Sequence, residues 1–168
     1  APPEGLEGAR RALALGDWHE AALRAGALAE DPGAAAVAVR ALANLDPLAA
    51  VRACAEAAAR HPLDAELRYL EAMLLLGLGR LPEAERATRQ ALYLEPSLAV
   101  AHLMRGHILR RQGDTEGARR AFRIAETLCA TLPPDTPVLL GDGERAGRLA
   151  AVARAELTRL EALEETRE

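Results

Sequence analysis

The chain has no lysine. All 21 of its basic residues are arginine, set against 25 acidic ones, and the resulting net charge of -4 is too mild to point to nucleic acid or an anionic membrane surface. Aromatic residues are nearly absent as well, with one Trp, two Tyr and one Phe in 168 positions. Bases would have little to stack on, which argues against RNA binding by a helical repeat. β-Branched aliphatics are few beside Ala and Leu, so helix is favoured over strand and the expected fold class is all-α. The two cysteines, Cys54 and Cys129, lie far apart in apolar helical contexts and read as buried, reduced thiols of a cytoplasmic protein.

Long apolar runs are missing too. A membrane span needs roughly 20 such residues, and the longest run here, near Ala72 to Gly79, is broken by Arg80. The chain reads as soluble. It begins at Ala1 without Met and continues Pro2-Pro3, so it reads as a piece of something longer, with any upstream domain outside it.

Catalytic signatures are equally scarce. His19, His61, His102 and His107 form no HExxH pair, and His102 and His107 point about 140° apart on a helix. Neither cysteine has a CxxC partner, and the 13 glycines form no P-loop or GxGxxG. Close carboxylate pairs are explained by solvated helix faces. No active site, no metal site and no cofactor are expected, and the chain reads as a non-enzyme.

What is present is repetition. Residues 65–130 overlay on themselves at an offset of 34, matching Ala72 to Gly106, Gly79 to Gly113, Ala84 to Ala118 and Ala91 to Ala125. Small residues recurring at one period within helical segments indicate stacked helix-turn-helix units. Ala72 against Ala84, and Gly106 against Ala118, would let antiparallel helices approach closely. The helix with Leu67, Leu70, Leu74, Leu75 and Leu76 is apolar nearly all round and should be buried in the middle of the array.

The same punctuation extends towards the start. Gly16, Ala21 and Leu28 repeat the spacings of Gly79, Ala84 and Ala91, with Asp17 as an N-cap, Glu20 as its capping-box partner and a second helix ending at Asp31-Pro32. Residues 33–62 are a degraded copy in which Leu45 replaces the turn glycine and Asp46-Pro47 restarts the helix. Asp64 caps the next one. Four repeats are thus expected over 4–32, 33–62, 65–96 and 99–130, within one domain spanning 1–168. Three prolines and two glycines make 131–143 a loop. Beyond it, over 144–166, Leu149, Ala153, Leu157, Leu160 and Leu163 form one apolar stripe, as expected of a helix that caps an array. The alternative for this helix is docking a partner or dimerising.

The pattern resembles the tetratricopeptide repeat, a right-handed α-α superhelix that binds proteins. Its small, aromatic and proline positions are matched by Gly106, Ala118, Phe122 and Ala125, and by Ala72, Ala84, Ala91 and Pro96, with Thr88 in the aromatic place. Glu71 and Arg105 stand where the family usually has Leu; either they pair across repeats or each is solvated. The resemblance implies a groove lined by the first helices, here Tyr69, Met73 and Leu76, then Leu103, His107, Arg110 and Arg111. Six arginines between Arg105 and Arg123 strengthen the positive field. The implied partner is an amphipathic helix or extended segment with acidic residues. A carboxylate-clamp adaptor is disfavoured, because that groove uses Lys and Asn and this chain has only Asn44.

A narrower resemblance covers 89–150. The runs ALYLEPSLAVAH, RRQGDTEGARRAF, LPPDTPV and AGRL look like the tail of CheR-type chemotaxis methyltransferases. That implies a regulatory module of an S-adenosylmethionine-dependent receptor glutamate methyltransferase whose catalytic domain is not in this chain. Its partners would be a chemoreceptor, a response regulator or its own catalytic domain. The alternative is a generic tetratricopeptide adaptor or scaffold.

Overall fold

The computed structural model describes residues 5–28 and 30–167; position 4, where the first repeat is expected to begin, lies outside them. Among the described residues the chain forms nine helices and one isolated antiparallel bridge, between Pro137 and Arg145. It divides into two compact units, Ala1–Leu94 and Glu95–Glu168.

The first unit holds α1 (Gly5–Ala14), α2 (Trp18–Gly26), α3 (Pro32–Leu45), α4 (Pro47–Arg60), α5 (Ala65–Gly77) and α6 (Leu81–Leu94). Each packs on the next, and α1 also meets α3 and α3 meets α5. Gly16 and Gly79 stop α1 and α5 at φ of +77° and +74°, a conformation that glycine adopts without a Cβ penalty. At the first of these, Gly16 N–H donates to Leu13 O and Asp17 N–H to Ala12 O, satisfying two carbonyls that the helix end would orphan. Where Leu45 replaces glycine, Asp46 makes the turn in extended geometry instead. Its N–H donates to Leu42 O at 2.7 Å while its carboxylate accepts from Ala49 N–H at 3.1 Å, so one residue ends α3 and starts α4. Asp17, Asp31 and Asp64 likewise cap α2, α3 and α5.

Two local expectations change. α2 stops at Gly26 rather than at Asp31, leaving Leu28 in a turn. The capping box at Asp17 is half formed: Asp17 accepts from Glu20 N–H, but the Glu20 carboxylate turns to Arg24 Nε at 2.6 Å. Asp17 N–H already serves Ala12, so the charge-assisted bond to Arg24 is the better use of that carboxylate. The core is built largely of alanine. Ala9, Ala21, Ala34 and Ala41 are fully buried between α1, α2 and α3, while Val39, Cys54, Leu67 and Leu70 fill the space between α3, α4 and α5. Burying one Leu or Val is worth about 1.5–3 kcal/mol, and an alanine methyl far less, so the second cluster carries more of the stabilisation.

The second unit holds α7 (Ala99–Arg111), α8 (Thr115–Ala130) and α9 (Ala146–Glu165). Gly113, at φ +83°, turns α7 into α8, and Asp114 caps α8 through Gly117 N–H at 2.8 Å. The close approach at Gly106 is to an aromatic ring rather than to Ala118 alone: a Cβ added there would lie 2.5 Å from Phe122 Cε1. α9 packs on α8 and closes the unit, its Ala153 and Leu160 joining Leu103, Leu109 and Phe122 in one cluster. Its buried face runs through Ala146, Ala150, Ala153, Glu156 and Leu160, with Leu149 and Leu157 at the margin and Leu163 in solvent. A carboxylate thus sits inside a seam expected to be apolar. The 131–145 connection folds back on itself, with Val138 N–H donating to Glu144 O and Ala146 N–H to Thr136 O, and places Val138 against Cys129, Ala146 and Ala150. Among the described residues no helix is long and apolar enough to cross a membrane.

Candidate functional site

The groove residues separate into two sets. In the first unit, Tyr69 is buried, while Met73 and Leu76 are half-buried on the same helix. Met73 lines a hollow of about 170 Å³ together with Leu70 and Leu74 from α5 and Val39, Arg40, Ala43 and Asn44 from α3. Tyr69 and Leu76 are not part of its wall. The α3 residues come from the degraded repeat at 33–62, and Val39 and Ala43 gain a role only through the hollow they share with Met73. Arg40 lies 4.0 Å from Glu66, and Asn44 donates to Arg40 O.

In the second unit, Leu103 is buried in the core cluster with Phe122 and Leu160, so the α9 helix takes its apolar surface. His107 is half-buried with its ring edge-on to Phe122, centroids 5.2 Å apart and planes at 75°. Burial lowers the pKa of His107; Glu156 opposes the shift and Arg110 and Arg159 add to it. Arg110 Nη1 donates to Glu156 Oε2, and the other oxygen of that carboxylate accepts from Arg159 at 2.6 Å. Arg111 is exposed. A carboxylate of the chain itself therefore already meets Arg110, where an acidic partner is expected to bind. Glu156 lies 46 residues further on and escapes any reading of local spacing.

Neighbouring charges follow the same economy. Arg119 is shared between Glu116 and Glu164, and Arg154 Nε reaches Glu126 at 3.1 Å, so α9 is tied to α8 at two further points. Glu71 lies 3.2 Å from Arg68, three residues back on its own helix. Arg105 Nε is buried without a hydrogen-bond partner. His102 holds Pro96 O at 2.8 Å through Nε2, and burial lowers its pKa against that bond, with Arg105 adding to the fall. Cys54 is a free, buried thiol 3.2 Å from Leu67 O, its pKa pushed up to about 12 by burial above all. Cys129 is also free and shifted upward by burial. Such thiols are poor nucleophiles.

The helices, their glycine turns and their spacing can be set beside solved structures. A thermophilic TPR protein of Thermus thermophilus, TTC0263, superposes with a TM-score of 0.70 at 19% identity, over 91% of this chain and 79% of that one. The fold is a tetratricopeptide array. MamA 41-end from Desulfovibrio magneticus matches the array over 100% of this chain and 99% of its own, with a TM-score of 0.66 and 21% identity. PcrH, solved in complex with the chaperone binding region of PopD, matches at TM-score 0.61 and 19% identity over 70% of this array and 80% of that chain. No protein-family model matches the sequence, and neither does any curated protein. The array is thus recognised through its backbone, in all-α superhelical form, and at these identities the likeness concerns fold.

Proposed function

We propose that the chain is a protein-interaction module. The observation that carries this reading is the tetratricopeptide fold itself, supported by PcrH, which holds a segment of another protein on the same architecture. The contact residues proposed are Tyr69, Met73 and Leu76 in the first unit and Leu103, His107, Arg110 and Arg111 in the second. Their weights differ. Met73, at the α3–α5 hollow, offers an apolar foothold, and Arg111 an exposed charge. Leu103 and Arg110 serve α9 in the described structure and would meet a partner only if α9 shifted.

In finer terms, we infer a regulatory domain of a chemotaxis receptor glutamate methyltransferase, acting in the cytoplasm without a cofactor of its own. The support is the run of residues over 89–150 and its resemblance to CheR-type tails. A chemoreceptor fragment, a response regulator or the catalytic domain would be the partner, engaged through acidic amphipathic segments. Isothermal titration of the chain with each of the three tests this. Binding by one of them, weakened at least about tenfold, or about 1.4 kcal/mol, by Met73→Asp or Arg111→Glu, is the expected result. Binding by none removes the chemotaxis reading and leaves a tetratricopeptide adaptor with another protein partner.

A further inference from the structure

We propose that the first unit carries a second docking surface, outside the residues assigned above, that takes an extended acidic segment of another protein. It extends the reading of the chain as a protein-binding module to different side chains. The surface is a hollow of about 570 Å³ between the α4–α5 connection and α6. Pro62 and Leu63 line it from that connection, Arg68 from α5, and Arg86, Arg89 and Tyr93 from α6.

Charge is the first reason. The hollow is lined by three arginines and no carboxylate, in a protein whose net charge is -4. By contrast, the hollow of about 320 Å³ between α1 and α2 sets Arg11 and Arg24 beside Asp17 and Glu20, with Arg24 and Glu20 already paired. That one is compensated. Arg68 is steadied by Glu71, whereas Arg86 and Arg89 are exposed and make no ion pair with any described residue. Guanidinium forks bind carboxylates through two parallel hydrogen bonds, and a local positive field in an acidic protein selects for acidic partners.

Shape and apolar surface supply the rest. Arg86, Arg89 and Tyr93 stand at i, i+3 and i+7, on one face of α6 and about 10 Å apart end to end. An extended segment presents residues i, i+2 and i+4 on one side over about 13 Å, so two acids followed by an apolar residue would face the two arginines and then Tyr93. Tyr93 is 87% exposed and Leu63 83% exposed, two large side chains left in water beside the free guanidiniums. Together they make an apolar lip that the third residue would cover. Such openness suits a chain passing across the surface, since small-molecule sites enclose most of their ligand.

The test uses a fluorescein-labelled peptide, Gly-Glu-Ser-Glu-Ser-Leu-Gly, its counterpart with Lys for Glu, and fluorescence anisotropy at about 50 and about 300 mM salt. The acidic peptide should bind and weaken with salt, and the basic one should not bind. Arg86→Glu with Arg89→Glu should weaken binding at least about tenfold and Tyr93→Ala about threefold, with unchanged circular dichroism because these side chains are exposed. Equal binding by the double variant, binding of the basic peptide, or no binding of either would overturn the proposal. If Arg111→Glu abolished peptide binding while the α6 double variant did not, this surface would fall and the groove reading would stand. Retained peptide binding with no chemotaxis partner found would sink that finer reading alone.

Discussion

The ring of Phe122 lies on Gly106 so closely that a Cβ at residue 106 would meet three ring carbons at 2.5–2.7 Å. At the equivalent places of the preceding repeat stand Ala72 and Thr88, both buried, with the Thr88 hydroxyl donating to Ala84 O at 2.8 Å. One repeat pairs the smallest residue with a ring; the other pairs a methyl with a small polar side chain. Gly106→Ala should therefore destabilise the fold by about 1–2 kcal/mol, overpacking outweighing the gain in helix propensity. In Gly106→Ala with Phe122→Thr, which copies the other repeat, the loss should fall at least about 1 kcal/mol short of the sum of the single changes. Urea unfolding of the four proteins of this cycle measures it, and additivity would show that the ring does not respond to residue 106.

Glu156 is only 6% exposed and rests on two arginines that differ in their surroundings. Arg110 is the more sheltered and ties α9 to α7, while Arg159 is two-thirds exposed on α9 itself. Arg110→Ala should lower stability by about 1–2 kcal/mol, because it leaves a buried carboxylate half satisfied. Arg159→Ala should lower it by less than about 0.5 kcal/mol. Chemical denaturation ranks the two, and the reverse order would mean that Glu156 draws its compensation from within α9.

Ending the chain at Gly143 removes α9 and uncovers Leu103, Leu109 and Phe122 together. The shortened protein should associate with itself or precipitate at concentrations where the full chain stays dispersed. Sedimentation velocity reads the outcome. A shortened chain that remains monomeric and equally stable would show that α9 does not act as a cap.

His102 and His107 both have pKa values lowered in the fold, chiefly by burial. The folded state then binds fewer protons than the unfolded one, so the contribution is complete above the unfolded value of about 6.5 and is lost as pH falls through it. The urea midpoint should drop between about pH 7.5 and pH 5.5, and His107→Asn should flatten the slope. A midpoint that rises on acidification in this range would contradict the burial of both rings.

The repeat architecture was open to sequence reading because it rests on local chemistry. Gly16, Gly79 and Gly113 announce turns, aspartates announce helix starts, and the 34-residue offset ties Gly106 to Ala72. Leu45 and Asp46 show that even the degraded turn could be read, since Asp46-Pro47 carries the capping information. The site was less legible. Met73 was visible as a groove position, but its hollow depends on Val39 and Ala43, whose side chains carry no chemistry of their own. Arg110 looked like a charge awaiting a partner because Glu156 is remote in sequence and sits in a stripe whose other members are apolar. Arg86, Arg89 and Tyr93 carry no signal in the sequence, because a helix face with two arginines is ordinary until the fold brings Leu63 and Arg68 to the same hollow.

If the proposed groove is the binding surface, the ion pair between Arg110 and Glu156 would make α9 a tethered competitor. A carboxylate held on the same chain presents itself at an effective concentration that, for short flexible tethers, is of millimolar order. A ligand offering one acid to Arg110 would be opposed by that concentration at every encounter, and its apparent affinity would fall in proportion. Only a partner that also engages neighbouring residues could win the exchange. The helix that closes the array would then act as its filter, admitting multivalent partners and turning away free acids.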